Sequence, residues 1–318
     1  MFVGIDVAKA KFDVCVTDGA AYQALETFAN TPAGHHALHT WLGAQAAHRA
    51  PVCMEATGTY HEELAYFLAA HEYPVSVINP LQSKAYEESR LCRNRTDTQA
   101  ARHLADFCAE RHPAVWQPLT PAERRLQALT RHYATLQQTS QRQQNRLEST
   151  HDELVRASLQ RVRAQIQAEM ATVQTHIDAH IAQTPELQHQ HALLVSIPGV
   201  GAATAARLLG EMPHLAQYPS AKQAAAAAGL TPSRHTSGSS VRHQARLSTL
   251  GNRRVRRILY FPALTAIRYN PAVRQLHERL RAAGKAKMVV VGAAMRKLLH
   301  QAYGVLKNDC PFNPQYAH

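Results

Sequence analysis

The chain has 318 residues, 45% of them hydrophobic, which is enough for two domains with a sizeable core. Lys and Arg outnumber Asp and Glu by 35 to 23, a net charge of +12 with 20 histidines besides, and that balance favours a polyanionic partner such as nucleic acid. No apolar run approaches the ~18 residues of a spanning helix, and the first residues show neither a basic leader nor a cleavage site, so the expectation is a cytoplasmic protein without membrane contact. Cys15, Cys53, Cys92, Cys108 and Cys310 are scattered, odd in number and free of C-x-x-C pairs, which points to reduced thiols.

In chain order, residues 1 to about 110 read as α/β. Phe2-Val3-Gly4-Ile5-Asp6-Val7 is a short apolar run holding one acid. Phe12, Val14 and Val16 alternate with Asp13 and Cys15, the period of a strand. Asp18-Gly19 signals a hairpin turn, and a third strand over 22–28 follows. Thr31-Pro32 starts a helix, with Thr as cap and Pro at the first helical position. Val52-Cys53-Met54-Glu55 is a fourth strand, 59–71 a helix with Leu64, Phe67 and Leu68 on one face, and 74–78 a fifth strand. The order βββαβαβ, with an acid on the first and the fourth strand, is a ribonuclease-H-like layout.

From 120 to about 188 the pattern changes. Thr120-Pro121-Ala122-Glu123 is a capping box. Leu126, Leu129, Tyr133 and Leu136, then Val162, Ile166, Met170, Val173, Ile177 and Ile181, keep helical spacing, with no Gly or Pro between Ala122 and Thr184. This predicts one long helix or a helical hairpin with a narrow apolar seam, a coiled-coil linker that favours self-association. Residues 190–318 read as a second, mostly helical domain. There Ile197-Pro198-Gly199-Val200-Gly201 precedes a helix over 202–211. It suits a helix-hairpin-helix element, in which Gly199 and Gly201 let backbone N–H groups approach a phosphate. Ser220 caps a helix through the alanine run to Gly229.

Two stretches carry chemistry. The first is acidic. Asp6 ends a strand that reads as buried, where an ionised carboxylate is costly unless it is paired or metal-bound. Glu55 closes another apolar strand, and Asp97 opens a helix through Phe107, where the dipole favours an acid. Three acids from two strands and a helix are how a ribonuclease-H-like site gathers Mg²⁺ ligands. Such a helix often supplies a second ligand one turn on; three residues after Asp97 stands Ala100, and Asp106 is out of phase. The second stretch is His235-Thr236-Ser237-Gly238-Ser239-Ser240. A serine hydroxyl can attack a phosphodiester and His235 could accept its proton, but local sequence does not choose among Ser233, Ser237, Ser239 and Ser240. Arg242, Arg246, Arg253, Arg254, Arg256 and Arg257 follow, and Lys285, Lys287, Arg296 and Lys297 form a second basic group. These suit neutralisation of a nucleic-acid backbone. His35, His36, His39, His189 and His191 have no Cys partners and read as surface or capping residues.

Taken together, Gly4-Ile5-Asp6-Val7-Ala8-Lys9, Met54-Glu55-Ala56-Thr57-Gly58, Thr96-Asp97-Thr98-Gln99-Ala100-Ala101, Ile197-Pro198-Gly199-Val200-Gly201 and Ser237-Gly238 resemble the insertion-sequence-110 transposases, DEDD-type recombinases guided by a bridge RNA. The resemblance covers nearly the whole chain. It implies a RuvC-like domain over 1–115, a coiled-coil linker over 120–188 and a transposase domain over 190–318. It implies Mg²⁺ at Asp6, Glu55 and Asp97, a serine nucleophile at Ser237, and a structured guide RNA that pairs with target and donor DNA. It also implies a dimer or tetramer in which the acids of one copy meet the serine of another, in a bacterial, nucleoid-associated protein. The family's fourth acid falls at Ala100, a departure that bears on strand cleavage and leaves nucleic-acid binding untouched. Two other readings stay open: a junction-resolving nuclease using metal-activated water, and a non-catalytic RNA- and DNA-binding scaffold.

Overall fold

The computed structural model describes residues 1–91, 96–233, 236–237, 241–242, 246–247 and 250–316. They divide into two units, Met1–Pro118 and Leu119–His318. The first unit runs β1 (Phe2–Val7), β2 (Lys11–Thr17), β3 (Tyr22–Ala29), α1 (Pro32–Ala44), β4 (Val52–Glu55), α2 (Glu62–Ala70), β5 (Val75–Ile78), α3 (Pro80–Ser89) and α4 (Asp97–Arg111). The strands form one mixed sheet in the order β3-β2-β1-β4-β5. The first three are antiparallel, while β4 and β5 run parallel to β1.

Side chains alternate across this sheet. Val3, Ile5, Val7, Phe12, Val14 and Val16 are buried with Leu38 and Leu42 of α1 and with Leu64 and Leu68 of α2. The opposite face presents Gly4, Asp6, Asp13, Cys15, Cys53 and Glu55, and α4 covers it with Ala101, Leu104, Ala105 and Cys108. Gly4 permits a very close approach: a Cβ there would lie 2.1 Å from the Ala105 nitrogen and 2.2 Å from the Ala101 oxygen. Any side chain at position 4 would push α4 off the sheet. Thr31 caps α1 by accepting from the Gly34 N–H at 3.2 Å.

Three details differ from the sequence expectation. Helix α2 starts at Glu62 rather than at 59, because Gly58 turns the chain at φ +54° and the residues after it form a turn. Helix α3 has no counterpart in the sequence reading, although Asn79 caps it in a box with Gln82 and Pro80 occupies its first turn. His35 is a core residue, not a surface or capping one: it is 5% exposed, packs on Phe12 and Phe67, and bonds Asn30 Oδ1 at 3.0 Å. Burial holds its pKa below the usual histidine value.

The second unit runs α5 (Pro121–Ser149), α6 (Glu153–Gln183), α7 (Pro185–Val195), α8 (Ala202–Glu211), α9 (Ala221–Ala227), β6 (Pro232–Ser233), β7 (Thr236–Ser237), β8 (Val241–Arg242), β9 (Arg246–Leu247), α10 (Arg253–Tyr269), α11 (Pro271–Ala282) and α12 (Lys287–Lys307). The expected choice between a single helix and a hairpin resolves as a hairpin. His180 near the end of α6 bonds the Ala122 carbonyl at the start of α5, 2.8 Å, so the two helices are antiparallel. Arg156 closes the turn by donating to the carbonyls of Leu147 and Thr150. Leu126, Val173, Ile177 and Ile181 at the hairpin base join the unit's main core, with Leu208, Leu209, Leu259 and Leu298. Towards the turn Leu159 is still buried, while Leu154 is 82% exposed and Val155 and Val162 are 42% and 40% exposed. The two-residue strands pair antiparallel, β6 with β9 and β7 with β8. Among the described residues Cys15, Cys53, Cys108 and Cys310 are free thiols. No described helix is long and apolar enough to cross a membrane.

Candidate functional site

Asp6, Glu55 and Asp97 line one cavity of about 350 Å³ in the first unit, together with Ala100. Local rules put them there. Asp6 is the penultimate residue of β1 and Glu55 ends the neighbouring parallel strand β4, so both emerge at the same end of the sheet on the α4 side. Thr96 caps α4 by accepting from the Gln99 N–H at 3.3 Å, which places Asp97 in the first helical turn. Ala100 lies one turn on, half-buried in the cavity wall. Asp106 does not line the cavity; its carboxylate accepts from the Tyr22 hydroxyl at 2.7 Å and from Arg90 at 2.9 Å.

The electrostatics of the cavity are those of crowded negative charge. Burial, with the nearby charges of Asp97, Glu55 and Asp13, pushes the Asp6 carboxyl up from 3.8 to about 6, against a smaller opposing pull from Lys11. Asp13 was not anticipated as part of the site. It sits directly across from Asp6 in the β1–β2 register, a like-charge cross-strand pair that is unfavourable by itself. Two partners offset this: the Thr27 hydroxyl donates to Asp13 at 2.6 Å, and the Lys11 ammonium lies 3.1 Å from Asp13 and 2.9 Å from Asp97. These two carboxylates hold Lys11 above the usual lysine range. Ser83, Lys84 and Glu87 of α3 and His103 of α4 complete the wall. The alternation of β2 placed Asp13 on this face in principle. Lys11 carried no signal, because its reach to Asp97 joins two elements distant in sequence.

Three carboxylates are hard oxygen donors of the kind Mg²⁺ or Mn²⁺ takes, and the repulsion from Asp97 and Glu55 that adds to burial in lifting Asp6 is what a bound dication relieves. The donor set fits a divalent cation in its chemistry. Its present geometry is open: no three acidic, His or Cys side chains among the described residues stand ready to hold a metal ion, and Lys11 occupies Asp97.

The second stretch belongs to the other unit. Ser237 is in β7, opposite Val241, and Arg242 is opposite Thr236. Arg246 pairs with Ser233. His235, Gly238, Ser239 and Ser240 lie outside the described residues, as do the side chains of Ser233, Ser237, Arg242 and Arg246. On α10, Arg253, Arg254 and Arg257 are exposed, with Arg254 also 3.8 Å from Glu211. Arg256 differs: it packs over Gly229, and its Nη1 is buried with no hydrogen-bond partner among the described residues. Lys285 and Lys287 are exposed. Gly199, at φ +102°, lies against α10, where a Cβ would come within 2.7 Å of the Ala266 Cβ. Gly201 caps α8 with open space around it.

A small mixed sheet with acids at the ends of two inner strands is joined in one chain to a basic helical unit, and the family matches make this an enzyme acting on DNA, of the transposase and recombinase class. In the comparison with known proteins, residues 3–155 match the DEDD-type IS110 transposase family, and residues 191–278 match the transposase family IS116/IS110/IS902. The chain belongs to the IS110 family of transposases. It is 34% identical to the pilin gene-inverting protein of Moraxella bovis, over 98% of this chain and 97% of that one, and 33% identical to the protein of the same name from Moraxella lacunata. A shorter match, 30% identical over 132 residues, joins 42% of this chain to 32% of an insertion element IS110 protein of Streptomyces coelicolor.

Proposed function

We propose that the chain is an RNA-guided DNA recombinase that cuts and rejoins strands through a serine–DNA ester. The observation that carries this reading is the cavity shared by Asp6, Glu55 and Asp97 on a family member whose second unit bears Ser237. In the proposed step the Ser237 Oγ attacks phosphorus, forming an Oγ–P bond as the bond from phosphorus to the neighbouring deoxyribose oxygen breaks. The serine proton goes to a base and the departing sugar oxygen takes up a proton. Attack by a second strand's sugar hydroxyl on the phosphoserine reverses the step, so no external energy source is needed. A divalent cation held by Asp6, Glu55 and Asp97 would neutralise the phosphate charge that develops. The exposed arginines of α10, with Lys285 and Lys287, neutralise phosphates, and the Gly199 to Gly201 turn offers a backbone seat of the helix-hairpin-helix kind. A structured guide RNA supplies sequence recognition, and two or four copies assemble through the α5–α6 coiled coil. The 1–115, 120–188 and 190–318 segments are the proposed catalytic, linking and transposase domains.

Ala100 favours a second reading, in which this chain binds nucleic acid without cutting it. One experiment separates the two. Mg²⁺-dependent recombination is measured for the chain as given, for Ala100→Asp, and for Ala100→Asp combined with Ser237→Ala. The expected result is low but measurable recombination by the chain as given, a gain of orders of magnitude with Ala100→Asp and complete loss with Ser237→Ala, with DNA and RNA binding constant. No recombination at all by the chain as given would establish the second reading. Equal activity in the first two would place the needed carboxylate elsewhere. Activity that survives Ser237→Ala would point to metal-activated water.

A further inference from the structure

Helix α10 carries a second feature that neither the acidic cavity nor the arginine cluster accounts for. Phe261 is 73% exposed in the middle of it. The positions 254, 257, 261, 265 and 268 are spaced by three and four residues, so Arg254, Arg257, Phe261, Thr265 and Arg268 share one exposed face. The face is about 21 Å long. Tyr260 stands edge-on to Phe261 at 5.2 Å between ring centroids and itself packs on the core, so the exposed ring is buttressed from below. Thr265 donates to the Phe261 carbonyl at 3.3 Å, leaving no unmet donor beside the ring. Phe261 also forms one wall of a cavity of about 510 Å³ whose other walls include Val195, Pro198, Gly199, Gly201 and Thr204.

We propose that this face of α10 is a stacking surface for single-stranded DNA, with Phe261 under an unpaired base and Arg257 and Arg268 on the flanking phosphates. The inference rests on the chain being an enzyme that recombines DNA, since exchanging strands requires bases to leave their partners. The charge argues for a polyanion over a protein: every ionisable residue of α10 other than its tyrosines is an arginine, so the same face of a second copy is repelled here. Flat aromatic rings set among arginines are what single strands use, because every base has a π-face and the backbone is held by charge. The adjoining cavity is lined mostly by apolar residues, Val195, Pro198 and Gly199 among them, and leaves open space beside the ring for the flat face of a base.

The test uses the full chain with Phe261→Ala, Phe261→Leu and Phe261→Trp. Affinity is measured by fluorescence anisotropy for a single-stranded DNA 20-mer, an RNA of the same sequence and the blunt DNA duplex, with a 2-aminopurine base as reporter of stacking. Phe261→Ala and Phe261→Leu should weaken single-stranded DNA binding by roughly tenfold. Phe261→Trp should retain it, and duplex binding should change less than about twofold. The salt slope should stay constant in the Phe261 variants and flatten by about 0.7 in Arg257→Ala. Full single-stranded DNA affinity of Phe261→Leu would make the contact merely apolar and overturn the proposal. So would equal losses on duplex and single strand, a loss confined to RNA, or a change in oligomeric state without a change in DNA affinity. Strand cleavage is not the readout, so a failure of the serine chemistry leaves this result interpretable.

Discussion

Asp6 shows how the cavity shapes the stability of the chain. Its carboxyl titrates at about 6 in the folded chain against an ordinary 3.8. The folded form therefore holds this proton more tightly than the unfolded form, and stability falls as pH rises from about 4 to about 6, then levels off. In the presence of a chelator, Asp6→Asn is expected to raise the melting temperature by a few degrees at pH 7, the gain vanishing near pH 4. A constant difference across that range, or none, would show that the crowding is relieved by other means. That Asp6, Glu55 and Asp97 meet in one cavity was legible in the sequence, because each sits at the end or start of an element with a clear pattern. Lys11 and Asp13 were not, since their roles come from a strand register and a cross-element reach that no local window contains.

Among the elements, α4 and the α5–α6 hairpin mark two limits of sequence reading. The start of α4 could be read from the Thr96 cap, but its seat on the sheet depends on Gly4, which looks like any glycine in a strand. Helix α3 could have been found from Asn79-Pro80 and Gln82, a capping signal with too weak an apolar period behind it to stand out. In the hairpin the seam was visible throughout, while the exposure of part of it near the turn, beside the buried Leu159, was not. Leu154, Val155 and Val162 on α6 remain 82%, 42% and 40% exposed. If this end of the hairpin joins copies, as proposed, Leu154→Lys with Val162→Lys should shift the protein to a smaller species in light scattering. The melting temperature should change little, because both positions are already in solvent. An unchanged mass would place the assembly contact elsewhere.

At the scale of the molecule, the net charge of +12 predicts binding dominated by counterion release. Arg253, Arg254, Arg257, Arg268, Lys285 and Lys287 are exposed on the second unit. One phosphate for each would give a slope of about −5 in log affinity against log salt for duplex DNA. A slope near zero in a salt titration would show that these cations do not face the DNA. The same scale gives meaning to the contact at Gly4. Helix α4 rests on β1 backbone to backbone, so its position does not depend on the side chains of its first turn. Under the proposed chemistry, a copy with alanine at position 100 keeps its shape and its grip on nucleic acid. If copies assemble as proposed, mixing this chain with its Ala100→Asp variant should lower recombination in proportion to the share of alanine copies.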